Sequence, residues 1–484
     1  MTLALIIAIP LLGAALVLAL RRSAPLARIV ALGASVATIL PVALVIRAYL
    51  ASGEPLTQAF SGAVGAFVRF SADGLSLPLV ALTALLGVVV VLVSWNAERV
   101  AAHLALLLAL EAAVMAVFLA ADLVLFYVAW EAVLVPMFFL IGGWGHEHRR
   151  RAAVKFFTYT FAGSALMLVG IIIAVLSSGS HALLADGSSA LGSRETLVFW
   201  LLAAGLLVKV PAWPLHTWLP DAHVEAPTSG SIMLAGVLLK MGGYGLARLG
   251  TSYTPDAFAE AAPAIAALGV IGIVYGAAVA LGQTDLKRLV AYSSVAHMGF
   301  VLLALSAGSV LGVQAAVLGM VSHGLVAGLL FLLAGAAYDR AHTHEMAEFG
   351  GLGAMMPAWA GMFVFASLAS LGLPGLSGFP GEFGALLAAF TRYGWPVAVA
   401  GLGVVLAGAY NLRAVWLMVF GGPRFPKVST DGGQSAPGDL SGRELLAVAL
   451  LGVPVVAIGL WPRLVTALAD PAVTSLVRAL AEGR

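Results

Sequence analysis

Lysine is rare in this chain, and two lysines stand where a membrane protein can least accommodate charge. Five of the 484 residues are lysine: Lys155, Lys209, Lys240, Lys287 and Lys427. Lys209 lies in FWLLAAGLLVKVP (199–211) and Lys240 in SIMLAGVLLKMG (231–242), each amid apolar sequence suited to a bilayer interior. A charged amine there costs at least about 2.5–3.5 kcal/mol, so it should face a partner, a polar cavity or a proton path. The competing reading is an amine that snorkels to the interface, strongest for Lys209, which precedes a helix break. Glu131 is centred in LVLFYVAWEAVLVPMFFLI (123–141). An unpaired carboxylate at that depth would take a proton, and pairing with a lysine would keep both charged. Such a condition is switchable and suits a proton carrier; a static ion pair between helices is the alternative. His297 (SSVAHMGFV) and His323 (MVSHGLVAGLL) fall between Lys240 and Glu382 in the chain. Histidine passes protons near neutral pH, so the two could form a relay, or each could be a satisfied structural group.

Other ionisable groups carry weaker signals. Glu111 (LLALEAAVMAVFLA) suits packing or an interhelical hydrogen bond as well as transport. His216, Asp221 and His223 (PLHTWLPDAHVEAPTSG) are expected at the cytoplasmic end of the seventh helix, as a proton entrance or as surface caps. His342 and His344 read as solvated loop, and Arg413 as an anchor for the thirteenth helix. Neither His297 nor His323 has a ligand-spaced neighbour, and His342 and His344 could bind metal only adventitiously, so no metal site is expected. P-loop, GxGxxG-before-helix, HExxH and Gly-flanked nucleophile motifs are absent.

Composition defines the medium in which these groups act. Hydrophobic residues make up 61% of the chain and charged residues 10%, with a mean hydropathy of +1.03. Soluble domains carry roughly 25% charged residues, so the chain reads as a polytopic membrane protein in contact with lipids. A net charge of +2 gives no basis for nucleic-acid binding. With no cysteine, the chain has no disulfide, no cysteine-ligated iron–sulfur cluster and no thiol catalysis. MTLALIIAIPLLGAALVLALRR reads as a retained first helix rather than a cleaved signal. Heavy use of Ala, Gly and Arg suits a GC-rich bacterial genome, hence a bacterial plasma (inner) membrane.

Apolar stretches near the ~20 residues needed to span predict fourteen helices: 2–20, 28–49, 74–95, 102–120, 122–143, 153–177, 196–221, 228–249, 261–282, 288–306, 309–338, 357–393, 395–420 and 444–462. The tail after Arg463 reads as an amphipathic interfacial segment. Arg21, Arg22, Arg28, Arg99, Arg149, Arg150, Arg151, Lys287, Arg288, Arg340, Arg424, Lys427 and Arg443 follow odd-numbered helices. Few follow even-numbered ones before the tail: Arg47, Arg69, Arg194, Arg248 and Arg392. The positive-inside rule makes the first set cytoplasmic and places both termini outside the cytoplasm. Two segments are predicted to be discontinuous: the seventh, with Pro211, Pro214 and Pro220, and the twelfth, with Pro374 and Pro380 among glycines. Proline frees the carbonyl four residues earlier, and such groups at membrane depth must be buried in protein or line water. Breaks five helices apart, each beside an ionisable residue (Lys209 and Glu382), predict two inverted five-helix repeats. The expected divisions are 1–101 (helices one to three), 102–249 (first repeat), 261–420 (second repeat) and 421–484 (loop, last helix and tail).

From about Ala121 to Phe390 the chain resembles a known family. LFYVAWEAVLVPMFFLIGGWG, AVKFFTYTFAGSALML, KVPAWPLHTWLPDAHVEAPTSGSIMLAGVLLKMGGYGLARL, QTDLKRLVAYSSVAHMGFV, HGLVAGLLFLLAG and GLPGLSGFPGEF are similar to antiporter-like subunit M of respiratory complex I, NADH:quinone oxidoreductase. The resemblance implies fourteen helices, two inverted repeats and a proton channel at the membrane midplane. It gives Glu131 the role of the fifth-helix glutamate and Lys209 that of the lysine on the broken seventh helix. Lys240 becomes the central lysine, His297 and His323 polar members of the central axis, and Glu382 the glutamate on the broken twelfth helix. The related subunits L and N, and Mrp-type antiporter subunits, generally carry lysine at that last position. The long lateral helix typical of subunit L is also absent. The resemblance further implies partners: antiporter-like subunits L and N, small membrane subunits and a peripheral redox arm. FMN, iron–sulfur clusters and quinone would belong to those other subunits, with no cofactor in this chain. The alternative within transport is an Mrp-type or hydrogenase-linked cation/proton antiporter subunit.

Overall fold

The computed structural model describes residues 2–61, 67–179, 191–251, 253–426 and 438–482, and every structural statement below concerns these. Lys427, counted above among the loop charges, lies outside them. The chain is a bundle of apolar helices, eleven of the described ones long and apolar enough to cross a membrane. It opens with α1 (Thr2–Ala19) and α2 (Ala24–Ser52), and then an antiparallel hairpin, β1 (Leu56–Ser61) with β2 (Phe67–Ala72). α3 (Leu77–Val93) and α4 (Val100–Leu119) follow. The hairpin was not expected from hydropathy, because its alternating LTQAFS and FVRFSA are too short and too polar to register as spans.

The fifth segment is two helices, α5 (Leu123–Ala132) and α6 (Leu134–Trp144). Pro136 has no amide hydrogen, so the Ala132 carbonyl is freed and the helix breaks at Val133, two residues after Glu131. Asp122 caps α5 by accepting the Leu125 N–H at 2.6 Å. α7 (Arg149–Ser178) leads to the seventh segment, which splits as expected into α8 (Glu195–Lys209) and α9 (Trp218–Glu225). The next helix, α10 (Thr228–Gly250), widens into π turns at Leu234–Leu238 and Leu246–Gly250, on either side of the turn that carries Lys240. α11 (Pro255–Leu281), α12 (Leu286–Ser306) and α13 (Val310–Ala341) are continuous. The twelfth segment also splits, into α14 (Pro357–Ser370) and α15 (Gly378–Tyr393). α16 (Ala398–Val419), α17 (Gly442–Leu460) and the amphipathic α18 (Arg463–Glu482) complete the chain. The predicted spans each coincide with one of these helices or with a helix broken in its middle.

Burial sorts the bundle. The apolar window of α10 is 100% buried and that of α13 94%, against 33% for α1, α2 and α17. The central helices are therefore α10, α12 and α13, and the lysine- and histidine-bearing turns lie in the protein interior rather than against lipid. Close approach depends on small residues where helices cross. A methyl group added at Gly269 of α11 would stand 2.8 Å from the Gly299 carbonyl oxygen of α12, and one at Gly299 2.7 Å from that of Gly269.

Candidate functional site

The proline break of the seventh segment satisfies its own backbone. The Leu207 carbonyl accepts the Ala212 N–H at 3.0 Å, and the Val208 carbonyl accepts the indole N–H of buried Trp218 at 3.0 Å. Lys209, the last residue of α8, is 1% exposed, and its ammonium has no hydrogen-bond partner among the described residues. It sits 5.3 Å from the ring centre of Trp130 and 5.8 Å from that of Phe156, an arrangement in which the ring faces offer the cation its nearest electrostatic support. Glu131 acts on Lys209 through space without bonding to it, and its Oε1 is buried without a partner. The expected direct ion pair is thus replaced by two groups near one another with no bond between them, and Glu131 hydrogen-bonds Tyr127 instead. Trp130, whose ring lies nearest the Lys209 ammonium, is the residue before Glu131.

A bonded line of groups occupies the centre. Lys240 is fully buried, and its Nζ donates to the Ala235 carbonyl, a group in the first π turn of its own helix. The π turn frees that carbonyl from the regular ladder, consistent with the frequent occurrence of such turns at functional sites. The same amine contacts His323 Nδ1 at 2.6 Å. The His323 ring centre is 5.5 Å from that of His297, and His297 Nδ1 stands 2.8 Å from Glu382 Oε1. A cavity of about 20 Å³ is lined by His297, His323, Glu382, Ser293, Ser322 and Ser370, enough for about one water. The structure therefore brings Lys240, His323, His297 and Glu382 together. Lys209 does not line this cavity, and its head group lies beside the Trp130 and Phe156 rings instead.

Glu382 enters from the second break. Pro374 lies in the turn between α14 and α15, and Pro380 in the first turn of α15, where its missing N–H costs nothing. Gly372 in that turn has φ of 76°, and a Cβ there would meet Glu382 Oε2 at 2.7 Å. Only glycine accommodates both the conformation and the carboxylate. Sequence reasoning missed three further members of this cluster. Ser370 Oγ lies 3.3 Å from His297 Nε2, the Tyr410 hydroxyl 3.5 Å from the same nitrogen, and Asn411 Nδ2 donates to Ser370 at 3.4 Å. Tyr410 and Asn411 interrupt the apolar α16, a signal that could have found them.

The remaining expectations divide. Asp221 is at the surface, 2.6 Å from Lys155 and 3.6 Å from Arg288. His223 does not cap a surface: it is fully buried, stacked on Phe331 at 4.4 Å, with both ring nitrogens unpartnered. His216 is 2% exposed and packs on Tyr275. Lys287 is no loop cation; it is buried and donates to the Val224 and Ala226 carbonyls. Arg248 is likewise internal, paired with Asp73 at 2.6 Å. Glu111 accepts from Ser35 at 3.4 Å, and Arg413 anchors the end of α11 through the Leu281 and Gln283 carbonyls. His344 is not solvated loop either: His146, Tyr338 and His344 stack together, with ring centres 4.4–5.7 Å apart. Burial, with the Lys287 charge nearby, pushes His146 down to about 4 and His344 to about 2. Among the described residues no three His, Asp or Glu side chains gather as a metal site.

A helical membrane protein with broken helices and a buried lysine–histidine–glutamate line is built as a carrier of small charges rather than as a receptor or a soluble-type enzyme. The chain belongs to the family described as NADH:quinone oxidoreductase/Mrp antiporter, TM, which matches residues 120–407. It is 40% identical to NADH-quinone oxidoreductase subunit M of Rhodobacter capsulatus over 469 residues, 93% of this chain and 90% of the relative. Among solved structures it is similar to a chain of respiratory complex I from Thermus thermophilus, with TM-score 0.87, 30% identity, and 99% and 100% of the two chains covered. A chain of the Mrp complex from Dietzia sp. shares the fold at 20% identity, with TM-score 0.86 and 99% of each chain covered.

Proposed function

We propose that this chain is the proton-translocating subunit M of a bacterial NADH:quinone oxidoreductase, driven by electron transfer in other subunits. The observation that carries this reading is the internal line from Lys240 through His323 and His297 to Glu382. Every member can hold or release a proton, and consecutive members are bonded or share a water-sized cavity. A proton arriving at Lys240 places positive charge beside His323. Transfer to His297 and then to Glu382 moves it toward the second break, and each step alters the field at the next group. Glu131 and Lys209 form a separate element, coupled to the line through the field rather than through hydrogen bonds. Their unbonded state lets a shift in either charge change the other's hold on its proton.

Two inverted repeats, helices four to eight and nine to thirteen, account for the placement of the two breaks, with the second half-channel facing the side opposite the cytoplasm. The redox chemistry would belong to partner subunits carrying FMN, iron–sulfur clusters and quinone. Antiporter-like subunits L and N would be neighbours in the membrane, and both termini would lie outside the cytoplasm. An Mrp-type or hydrogenase-linked antiporter subunit is the second reading. Glutamate at 382, where such subunits carry lysine, and the 40% identity to a subunit M favour the first.

The test replaces Glu382 in the complete complex and follows proton uptake into vesicles alongside NADH oxidation. Glu382→Gln removes the only acidic member of the line and is expected to reduce pumping severely, while Glu382→Asp retains part of it. Full pumping with glutamine, in complex containing the subunit at normal stoichiometry, would place the exit elsewhere.

A further inference from the structure

We infer that the Trp130 ring is a seat for the Lys209 ammonium in competition with the Glu131 carboxylate, so that Trp130 is a positioning residue for proton transfer. The inference rests on the reading of this chain as a proton carrier, and it concerns how the first half keeps its two charged groups apart. A buried amine that makes no hydrogen bond is costly to hold. Lys209 is such an amine, 1% exposed, with its Nζ unpartnered among the described residues. The face of an aromatic ring is electron-rich and attracts a cation within about 6 Å of its centre. Two rings meet that condition, Trp130 of α5 at 5.3 Å and Phe156 of α7 at 5.8 Å.

The seat is built into the packing. Trp130 and Phe156 are both buried, and each is backed by a further ring: Phe126 lies 5.6 Å from Trp130, and Trp218 lies 5.5 Å from Phe156. The Trp218 indole donates to the Val208 carbonyl at 3.0 Å, directly before Lys209. One aromatic array therefore anchors both the end of α8 and a wall of the cage. The carboxylate is held by a device of its own, because Tyr127, one helical turn before Glu131, hydrogen-bonds it. Trp130 and Glu131 are successive residues of α5, about 100° apart around the helix. The ring face and the carboxylate are thus adjacent partners for one flexible side chain. A ring face holds a desolvated ammonium less tightly than a bonded carboxylate does. Trp130 therefore makes the separated state accessible without locking it, which is what a switch needs.

The test grades the attraction of the ring for a cation while leaving its size almost unchanged. In the complete complex, Trp130 is replaced by tryptophans bearing one to four fluorine atoms, which withdraw electron density from the ring face. Proton uptake into vesicles is read per NADH oxidised. Uptake is expected to fall stepwise with fluorine number, reaching a loss of about tenfold at the fourth. The same series at Trp359, which is buried and bonded through its indole N–H to the Leu333 carbonyl at 2.8 Å, should leave uptake unchanged. Trp130→Phe keeps a ring face and should retain more uptake than Trp130→Leu. A residue that only fills space would not respond to fluorine. A flat series at Trp130 overturns the inference, as does an equal decline at Trp359. Trp130→Leu pumping as well as Trp130→Phe in assembled complex overturns it too. If the series is flat while Glu382→Gln still impairs pumping, the seat is refuted and the proton-carrier reading stands.

Discussion

Replacing Gly372 with alanine tests whether the turn between α14 and α15 exists to admit the Glu382 carboxylate. The residue has φ of 76°, and an L-residue in the left-handed region costs about 1–2 kcal/mol. The new Cβ would lie 2.7 Å from Glu382 Oε2, closer than real Cβ contacts. The carboxylate must move by several tenths of an ångström, and its 2.8 Å contact with His297 Nδ1 lengthens. A hydrogen bond to a charged group is worth about 1.5–3 kcal/mol. Losing it corresponds to about a ten- to hundredfold loss at the Glu382 step. The assay is reconstitution of the complex into vesicles, with proton uptake measured per NADH oxidised. A double variant, Gly372→Ala with Glu382→Asp, shortens the acid by one methylene and makes room for the methyl group. It should recover part of the pumping, which a merely misfolded turn would not do. Wild-type pumping in assembled Gly372→Ala complex would refute the positioning argument.

Removing the charge of either unbonded neighbour in the first half, by Glu131→Gln or Lys209→Ala, is expected to abolish most coupled pumping while the complex still assembles; normal uptake with Glu131→Gln would show that the pair is only structural. Arg248→Ala leaves Asp73 buried without its counter-ion at a site 7–8% exposed, at a cost of about 3–5 kcal/mol. Thermal unfolding of the purified complex should fall clearly, and an unchanged midpoint would show that water reaches Asp73. The lowered values of His146 and His344 mean that the folded loops bind fewer protons than the unfolded chain from pH 6.5 down to about 4 for His146 and to about 2 for His344. Their contribution to stability is complete above pH 6.5 and declines as pH falls through that window. Hydrogen exchange in 145–148 and 342–345 should quicken on acidification, and equal protection at about pH 7.5 and 5 would contradict the assignment.

Membrane immersion, the broken seventh and twelfth segments, and the burial of Lys209, Lys240 and His323 were legible in the sequence. Each follows from local facts: length and hydropathy of a stretch, the missing N–H of proline, the expense of charge in hydrocarbon. The π turns around Lys240 were not legible. LAGVLLKMGGYG reads as regular helix, and the widening is decided by what packs around it. A methyl group added at Gly236 within the first of those turns would meet Leu86 of α3 at 2.4 Å, and one at Gly242 would meet the Leu206 carbonyl at 2.6 Å.

Contacts were the other matter decided only by the fold. Lys209 and Lys240 look alike in sequence, each a lone amine in an apolar run. Tertiary packing sends one into a cage of Trp130 and Phe156 and the other onto His323, 83 residues away. His297 and Glu382, 85 residues apart, meet because α12 and α15 pack together and because Gly372 leaves space. His223 and Lys287 were read as surface groups, since a residue beside a turn has no local mark of burial. In this chain the sequence by itself determined which ionisable side chains stand in apolar helical segments, Lys209, Lys240, His297, His323 and Glu382 among them. Their order along a path depends on side chains reaching across helices, and no local periodicity encodes that.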